Sequence, residues 1–461
     1  MLYENAIMTN KKLYLIKLIL VIFVLHSCTK DKNVISVSNN NINNYNYEIP
    51  EDPDVPYVRE EWKNWIKTNH HPILSLDSEN FEDLHFLDQF LTDKSIVLLG
   101  EVAHGIAEQN RIRVRLIKYL HQEYGFNVVA FESSFYDCYF TDKILQGMDN
   151  IDVLKNALYS FWNTTDLVDL VDYMKQSYSS NSPIHLAGFD IHSSGIMSVN
   201  RPQFLKNITI NIDSILSENI FEMDKIIVQR RTRRSYVDNY VDQNYDTLRV
   251  LYQDLIDKIT NNVDLLKHYY DEETILVAKE IAVSTSKYIL SRHIPPSYII
   301  RDKQMAETIK FIKEVLFPGQ KIIIWSHNCH IQKDLEAVAI LPYGNYYAGT
   351  NMGNWLYQTY PEEMYAIGSL AYRGHINYGQ VQDIIITKDE CIEAILYHAR
   401  KKHFFIDLSQ QTEEKGNSWI FQQVTQSYIH RNDPCDIQYI PKDQYDAILF
   451  IDTVSEPEYV Y

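Results

Sequence analysis

Four short apolar runs in this chain each end on a residue able to hold a charge or move a proton. Ile-Val-Leu-Leu-Gly over 96–100 runs into Glu101, and Val-Val-Ala-Phe over 128–131 runs into Glu132. Ile-His-Leu-Ala-Gly-Phe over 184–189 runs into Asp190, and Ile-Ile-Ile-Trp-Ser over 322–326 runs into His327. Runs of this length, rich in Val and Ile and bounded by Gly or polar residues, read as strands buried on both faces of a parallel sheet. Ligands bind such sheets at the carboxyl ends of the strands. The pattern predicts an α/β fold, a mostly parallel sheet flanked by helices, with acids and a histidine gathered at one edge.

Before the first run lies a targeting signature. Lys11 and Lys12 precede an apolar stretch over 18–25, and Leu-His-Ser-Cys over 25–28 resembles a lipoprotein cleavage box. This predicts a signal peptide over 1–27, lipid on Cys28, and anchoring to a membrane of the cell envelope, the outer one. The apolar stretch is short for a spanning helix. Residues 28–56, with their Asn-rich run, read as a flexible tether, and the folded domain as 57–461. A formal net charge of −18 argues against nucleic acid as a partner.

Within the domain, residues 111–124 carry a helical stripe of Ile112, Leu116 and Leu120, with Gly125 as a stop signal. Arg113 falls on that stripe and demands a carboxylate, because an unpaired buried charge is very costly. Arg111 and Arg115 face elsewhere and read as solvated. Residues 200–295 lack strand runs and read as a helical insertion or lid. The basic run at 230–234 within it reads as a solvated helix face. Strand signals return at Lys321, 364–368, 403–407 and 446–452. Asp407 and Asp452 close two of these runs as turn residues and carry no catalytic role.

The densest chemistry lies in Gly-Glu-Val-Ala-His-Gly over 100–105. A strand-end histidine beside a carboxylate can take a proton from water, and either Glu101 or Glu132 is placed to orient the His104 ring. Trp-Ser-His-Asn-Cys-His over 325–330 adds His327 and His330. Paired histidines and two glutamates admit a metal reading, but there is no HExxH, and a metal-free site is favoured. Cys329 reads as a structural thiol. The five cysteines form no CxxC pair. The chain also lacks a GxSxG elbow, a phosphate-binding P-loop and a dinucleotide fingerprint.

These residues resemble the erythromycin esterase family. The resemblance rests on 96–105 with Glu108 and Arg113, on 125–132, and on Gly-Phe-Asp over 188–190. It continues through Arg-Asp-Lys-Gln-Met-Ala over 301–306, the 321–330 segment, Met352-Gly353 and the 446–452 run. It implies an α/β domain with a helical lobe over the cleft, hydrolysing a macrolide lactone or another small carboxylic ester without metal or cofactor. By motif position His104 would be the general base, held by Glu101, Arg113 and Glu132. His327, with His330, would stabilise the oxyanion or position the substrate, and Glu108, Asp190 and Arg301 would complete substrate binding. One departure is Glu-Val-Ala-His where family members often carry Glu-Ala-Thr-His. Two other readings stand beside this one: a metal-dependent hydrolase or peptidase, and a non-catalytic ligand-binding surface lipoprotein.

Overall fold

The computed structural model describes residues 48–49, 52–180, 182–341, 349–377, 379–428 and 435–461. The leader, Cys28 and the tether up to residue 47 lie outside the described residues. The strands in chain order are β1 (His71–Pro72), β2 (Ile96–Glu101), β3 (Phe126–Ser134), β4 (His185–Asp190), β5 (Lys321–His327) and β6 (Ala339–Leu341). They continue as β7 (Met364–Asn377), β8 (Val381–Ile384), β9 (His403–Asp407), β10 (Val424–Tyr428), β11 (Cys435–Tyr439) and β12 (Ala447–Val454).

The main sheet runs β1-β9-β12-β7-β2-β5-β3-β4, with β8 paired to β7. From β12 to β4 every neighbour is parallel. The antiparallel pairs β1–β9, β9–β12 and β7–β8 lie at its margins. A second, antiparallel sheet joins β10, β11 and β6. The expected fold class holds.

All six residues of β2 are buried, as are Ile322, Ile323, Ile324 and Trp325 of β5. Such continuous apolar strands fit only where helices cover both faces. Each buried Ile or Leu contributes roughly 1.5–3 kcal/mol. One covering helix is Ala107–Tyr124, which buries Ile112, Leu116, Ile117 and Leu120 and ends at Gly125 in the left-handed region, φ 68°. Arg115 corrects an expectation. It is buried, donating to the carbonyls of Ser75, Ser78 and Asn80 and pairing with Asp83. Four acceptors within reach replace the water that its position on the helix led one to expect.

Between β4 and β5 the chain is helical, and its longer helices are Arg201–Thr209, Ser214–Ile227, Arg234–Gln243, Tyr245–Asn261, Glu272–His293 and Ser297–Phe311. Buried Arg201 binds both oxygens of buried Asp224, at 3.0 and 2.7 Å, and Tyr252 donates to the same carboxylate at 2.6 Å. Among the described residues no helix is long and apolar enough to cross a membrane.

Candidate functional site

Parallel register aligns the strand ends. Glu101 stands opposite His327, and Gly100 opposite Ser326, across β2 and β5. On the other side of β5, Phe131 stands opposite Trp325, so Glu132 follows beside Ser326. Ser134 pairs with Asp190 across β3 and β4. Strand pairing alone thus carries two glutamates, an aspartate and a histidine to one edge.

The loop after β2 turns back at Gly105, whose φ is +78°. A side chain there would strike the Asn377 carbonyl, so glycine is required on both counts. The turn brings His104 Nδ1 to 2.6 Å from Glu101 Oε1, with the acid fully buried and the imidazole 16 % exposed. Burial would push the Glu101 carboxyl up, but His104, its hydrogen bond and Arg113 outweigh that and hold it lowered. Arg113 Nη1 lies 3.7 Å from Glu101 Oε2, and its Nε and Nη2 donate to the Gly100 carbonyl. Burial lowers Arg113 to about 10, so it stays charged at neutral pH. Of the two glutamates open to the task, Glu101 orients His104.

Glu132 has a different role. Its Oε1 accepts from Arg301 Nη2 at 2.7 Å and lies 3.3 Å from His330 Nε2. Its Oε2 accepts from Ser326 Oγ at 2.8 Å and the His327 N–H at 3.1 Å. Burial opposes the charge, yet His330 and Arg301 hold the carboxyl well below its ordinary range. Arg301 also binds both oxygens of Asp190, each at 2.9 Å. Asp190 takes a further bond from Tyr159 Oη at 2.8 Å and lies 3.5 Å from His192 Nδ1. His330 Nδ1 lies 2.8 Å from Asp302 Oδ2. Burial resists its protonation, but Asp302, Cys329 and Glu132 raise it well above an ordinary imidazole. Arg301 Nη1 lies 3.2 Å from His330 Nε2, while Nε and Nη2 of the same guanidinium make its carboxylate contacts.

His327 closes β5 at the same edge and lines the cleft. Its Nε2 lies 3.0 Å from the Val102 carbonyl and its Nδ1 3.2 Å from Cys329 Sγ. A ring engaged at both nitrogens braces the loop carrying His104; the two rings sit 5.8 Å apart, edge to face. Glu108 is not brought to the cleft. It accepts from the Ser455 N–H and hydroxyl at 2.7 Å each and pairs with Arg111. Helical phase turns it toward the C-terminal segment.

Above these groups opens a cleft of about 910 Å³. His104, Glu132, Arg301, His327 and His330 line it, and so do Tyr159, Phe161, His192 and Cys329, which the sequence reading passes over or assigns elsewhere. Phe161 stacks on His104 at 4.0 Å and Tyr159 on Phe161 at 5.3 Å. His192 follows two residues after a strand-end acid, a position that could have flagged it. Tyr159 and Phe161 had only an aromatic-rich stretch to mark them. Cys329 is partly exposed, against the expectation of a structural thiol, because β5 has ended before it. The basic run expected to face solvent also reaches the cleft, through Arg230, Arg231 and Arg234. Among the described residues no group of three or more His, Cys, Asp or Glu side chains is arranged to hold a metal ion.

Comparison with known proteins places this geometry. A Bacillus subtilis (strain 168) protein named "Putative hydrolase YbfO" is 28 % identical over 423 residues, 86 % of this chain and 91 % of its own length. "Erythromycin esterase type II" of Escherichia coli is 23 % identical over 433 residues, 87 % of this chain and 99 % of its own. A Bacillus cereus protein of known crystal structure superposes with a TM-score of 0.74 at 20 % identity, covering 88 % of this chain and all of its own. A mutant of the erythromycin esterase EreC in its open conformation superposes at 0.63 and 15 % identity, covering 82 % and 95 %. At these identities the two structures share the fold. The family profile described as erythromycin esterase matches residues 121–454, a span that begins after Glu101 and His104. A match over most of the chain, together with relatives aligned across nearly their whole length, makes this protein a hydrolase and a member of the erythromycin esterase family.

Proposed function

We propose that the protein hydrolyses a carboxylic ester or lactone with water activated by His104. The observation that carries the reading is the 2.6 Å contact between Glu101 and His104 at the floor of an open cleft. A carboxylate on Nδ1 fixes the tautomer and stabilises the imidazolium, leaving proton transfer to Nε2. His104 takes a proton from water as the hydroxide oxygen bonds to the ester carbonyl carbon. The tetrahedral intermediate then expels the alcohol oxygen, which recovers the proton from His104. The products are a carboxylic acid and an alcohol, or one hydroxy acid from a lactone.

The developing oxyanion needs a positive donor. The proposal assigns this to Arg301 Nη1, which no carboxylate claims among the described residues, supported by protonated His330. Glu132 and Asp190 hold that guanidinium in place. The cleft volume suits a bulky substrate such as a macrolide lactone as well as smaller esters. The leader carries the further proposal that Cys28 is lipidated and tethers the domain at the cell envelope.

A panel of macrolides, simple lactones and aryl esters tests the reading. Turnover that His104→Ala abolishes while circular dichroism stays unchanged supports it. Activity lost to EDTA and restored by zinc or manganese would overturn it in favour of metal-dependent hydrolysis. Tight ligand binding without turnover would favour a binding protein. Loss of membrane association in Cys28→Ala cells tests the tether.

A further inference from the structure

The cleft over His104 is basic in a chain whose formal charge is −18. Its lining holds four arginines, Arg230, Arg231, Arg234 and Arg301, and one acid side chain, Glu132. Arg301 is committed to Glu132 and Asp190. Arg230 and Arg231 come from the short stretch between the helices Ser214–Ile227 and Arg234–Gln243, and Arg234 is the first residue of the second.

Arg230 is held rigidly. Its Nε donates to Asp238 Oδ1 at 2.9 Å, its guanidinium carbon lies 5.2 Å from the Tyr288 ring, and its side chain is 11 % exposed. The same Asp238 carboxylate serves Arg234 and Arg292, each at 3.7 Å, and Arg292 has a second partner in Asp242 at 2.7 Å. Arg231 faces the cleft and pairs with no carboxylate among the described residues. Three guanidinium groups therefore share two carboxylates and Arg231 has none among the described residues, so surplus positive charge sits on the cleft wall. Elsewhere in the lining, Ile376, Asn377, Gln382 and Tyr459 carry no charged side chain; Glu456 accepts from the Asn377 amide at 2.8 Å but is not part of the lining. A concave surface lined by one sign of charge concentrates ligands of the other. Guanidinium forks match the geometry of oxyanions and repel ammonium groups.

We propose that the substrate is an anionic ester, with a carboxylate, sulfate or phosphate group distal to the scissile bond. Arg231 and Arg234 bind that oxyanion, Arg230 stands behind them as a fixed cation, and the ester carbonyl lies over His104. The inference rests on the hydrolase reading of His104 and adds the substrate's charge to it. An ester bearing a cationic amine is a poor substrate on this account.

The test uses the full chain and two probes of equal acyl length, 4-nitrophenyl hexanoate and mono-4-nitrophenyl adipate. The anionic probe is expected to show a kcat/KM about tenfold higher at low salt, mostly through KM, and the ratio to shrink as ionic strength rises. In the double variant Arg231→Ala, Arg234→Ala the ratio falls toward one, and in Arg231→Glu below it. A wild-type ratio of one or less, or a ratio unmoved in the double variant, overturns the proposal. Competition by glutarate, sulfate and inorganic phosphate tells which oxyanion is bound. If neither probe turns over, the hydrolase reading fails and calorimetry decides the anion site alone. Glutarate, sulfate or phosphate binding that disappears in the double variant supports it, and no binding, or equal binding in both proteins, overturns it.

Discussion

Arg301 Nη2 lies 2.7 Å from Glu132 Oε1, although 169 residues separate the two along the chain. The contact fastens the helix Ser297–Phe311 to the carboxyl end of β3, and Asp190 completes the clamp from β4. Replacing Arg301 by Ala strands two buried carboxylates without their cation. The expected loss is about 3–5 kcal/mol of folding free energy, read as a lower urea midpoint. Arg301→Lys keeps the charge but not the two-pronged geometry, and should recover only part of the loss.

His104→Ala is expected to lower kcat by about 10²–10⁴-fold, the usual reach of a positioned base. Its thermal midpoint should stay within a few degrees of wild type, because the ring is at the cleft floor and not in the core. Glu101→Gln should lower kcat as well, and in addition destabilise the fold by about 3 kcal/mol, since Arg113 loses its buried counter-charge. A Glu101→Gln protein with wild-type turnover would remove the acid from the mechanism.

Stability should depend on pH from both sides. Glu101, Glu132 and Asp190 are held below the ordinary carboxylate range by their cationic neighbours, against burial. Groups lowered in the fold stabilise it fully above their unfolded values of about 4, and lose that contribution as pH falls toward the folded ones. His330 is raised, so it stabilises fully below about 6.5 and its contribution is lost as pH rises through the raised value. Melting curves from about pH 3 to 9 should peak between about pH 5 and 6.5. In His330→Gln the decline on the alkaline side should weaken; a midpoint that stays constant down to about pH 3 contradicts the assignment.

Cys329 should be the reactive thiol among the three described free cysteines. Burial would raise it, but His330 and His327 outweigh burial and bring it down to about 6. Burial pushes Cys138 and Cys391 up. Iodoacetamide at neutral pH should therefore label Cys329 and spare the other two in peptide mapping. Cys329→Ala should keep turnover within about tenfold. A loss of about 10³-fold or more would make the thiol the nucleophile and displace water activated by His104.

The sheet was readable because its signal is local. Each strand announces itself by an apolar run, and parallel register then brings Glu101, Glu132, Asp190 and His327 to one edge. The partners of those residues were harder to read. Whether Glu101 or Glu132 holds His104 depends on a turn at Gly105 packed against Asn377, far away in sequence. Arg115 and Glu108 went astray for a related reason: helical phase gives a direction, but not what the rest of the chain has placed there. The basic run at 230–234 looked like an ordinary solvated face, because nothing nearby in sequence reveals that it overlooks the cleft.

The pairing of Glu101 with His327 across β2 and β5 limits how this protein can be altered. Side chains alternate between the two faces of a strand, so one residue inserted into either would swing the acid or the imidazole to the opposite face. Length can change freely only in the connections. Loop grafts that reshape the cleft walls should therefore leave proton transfer intact, and the same edit made inside β2 should silence it.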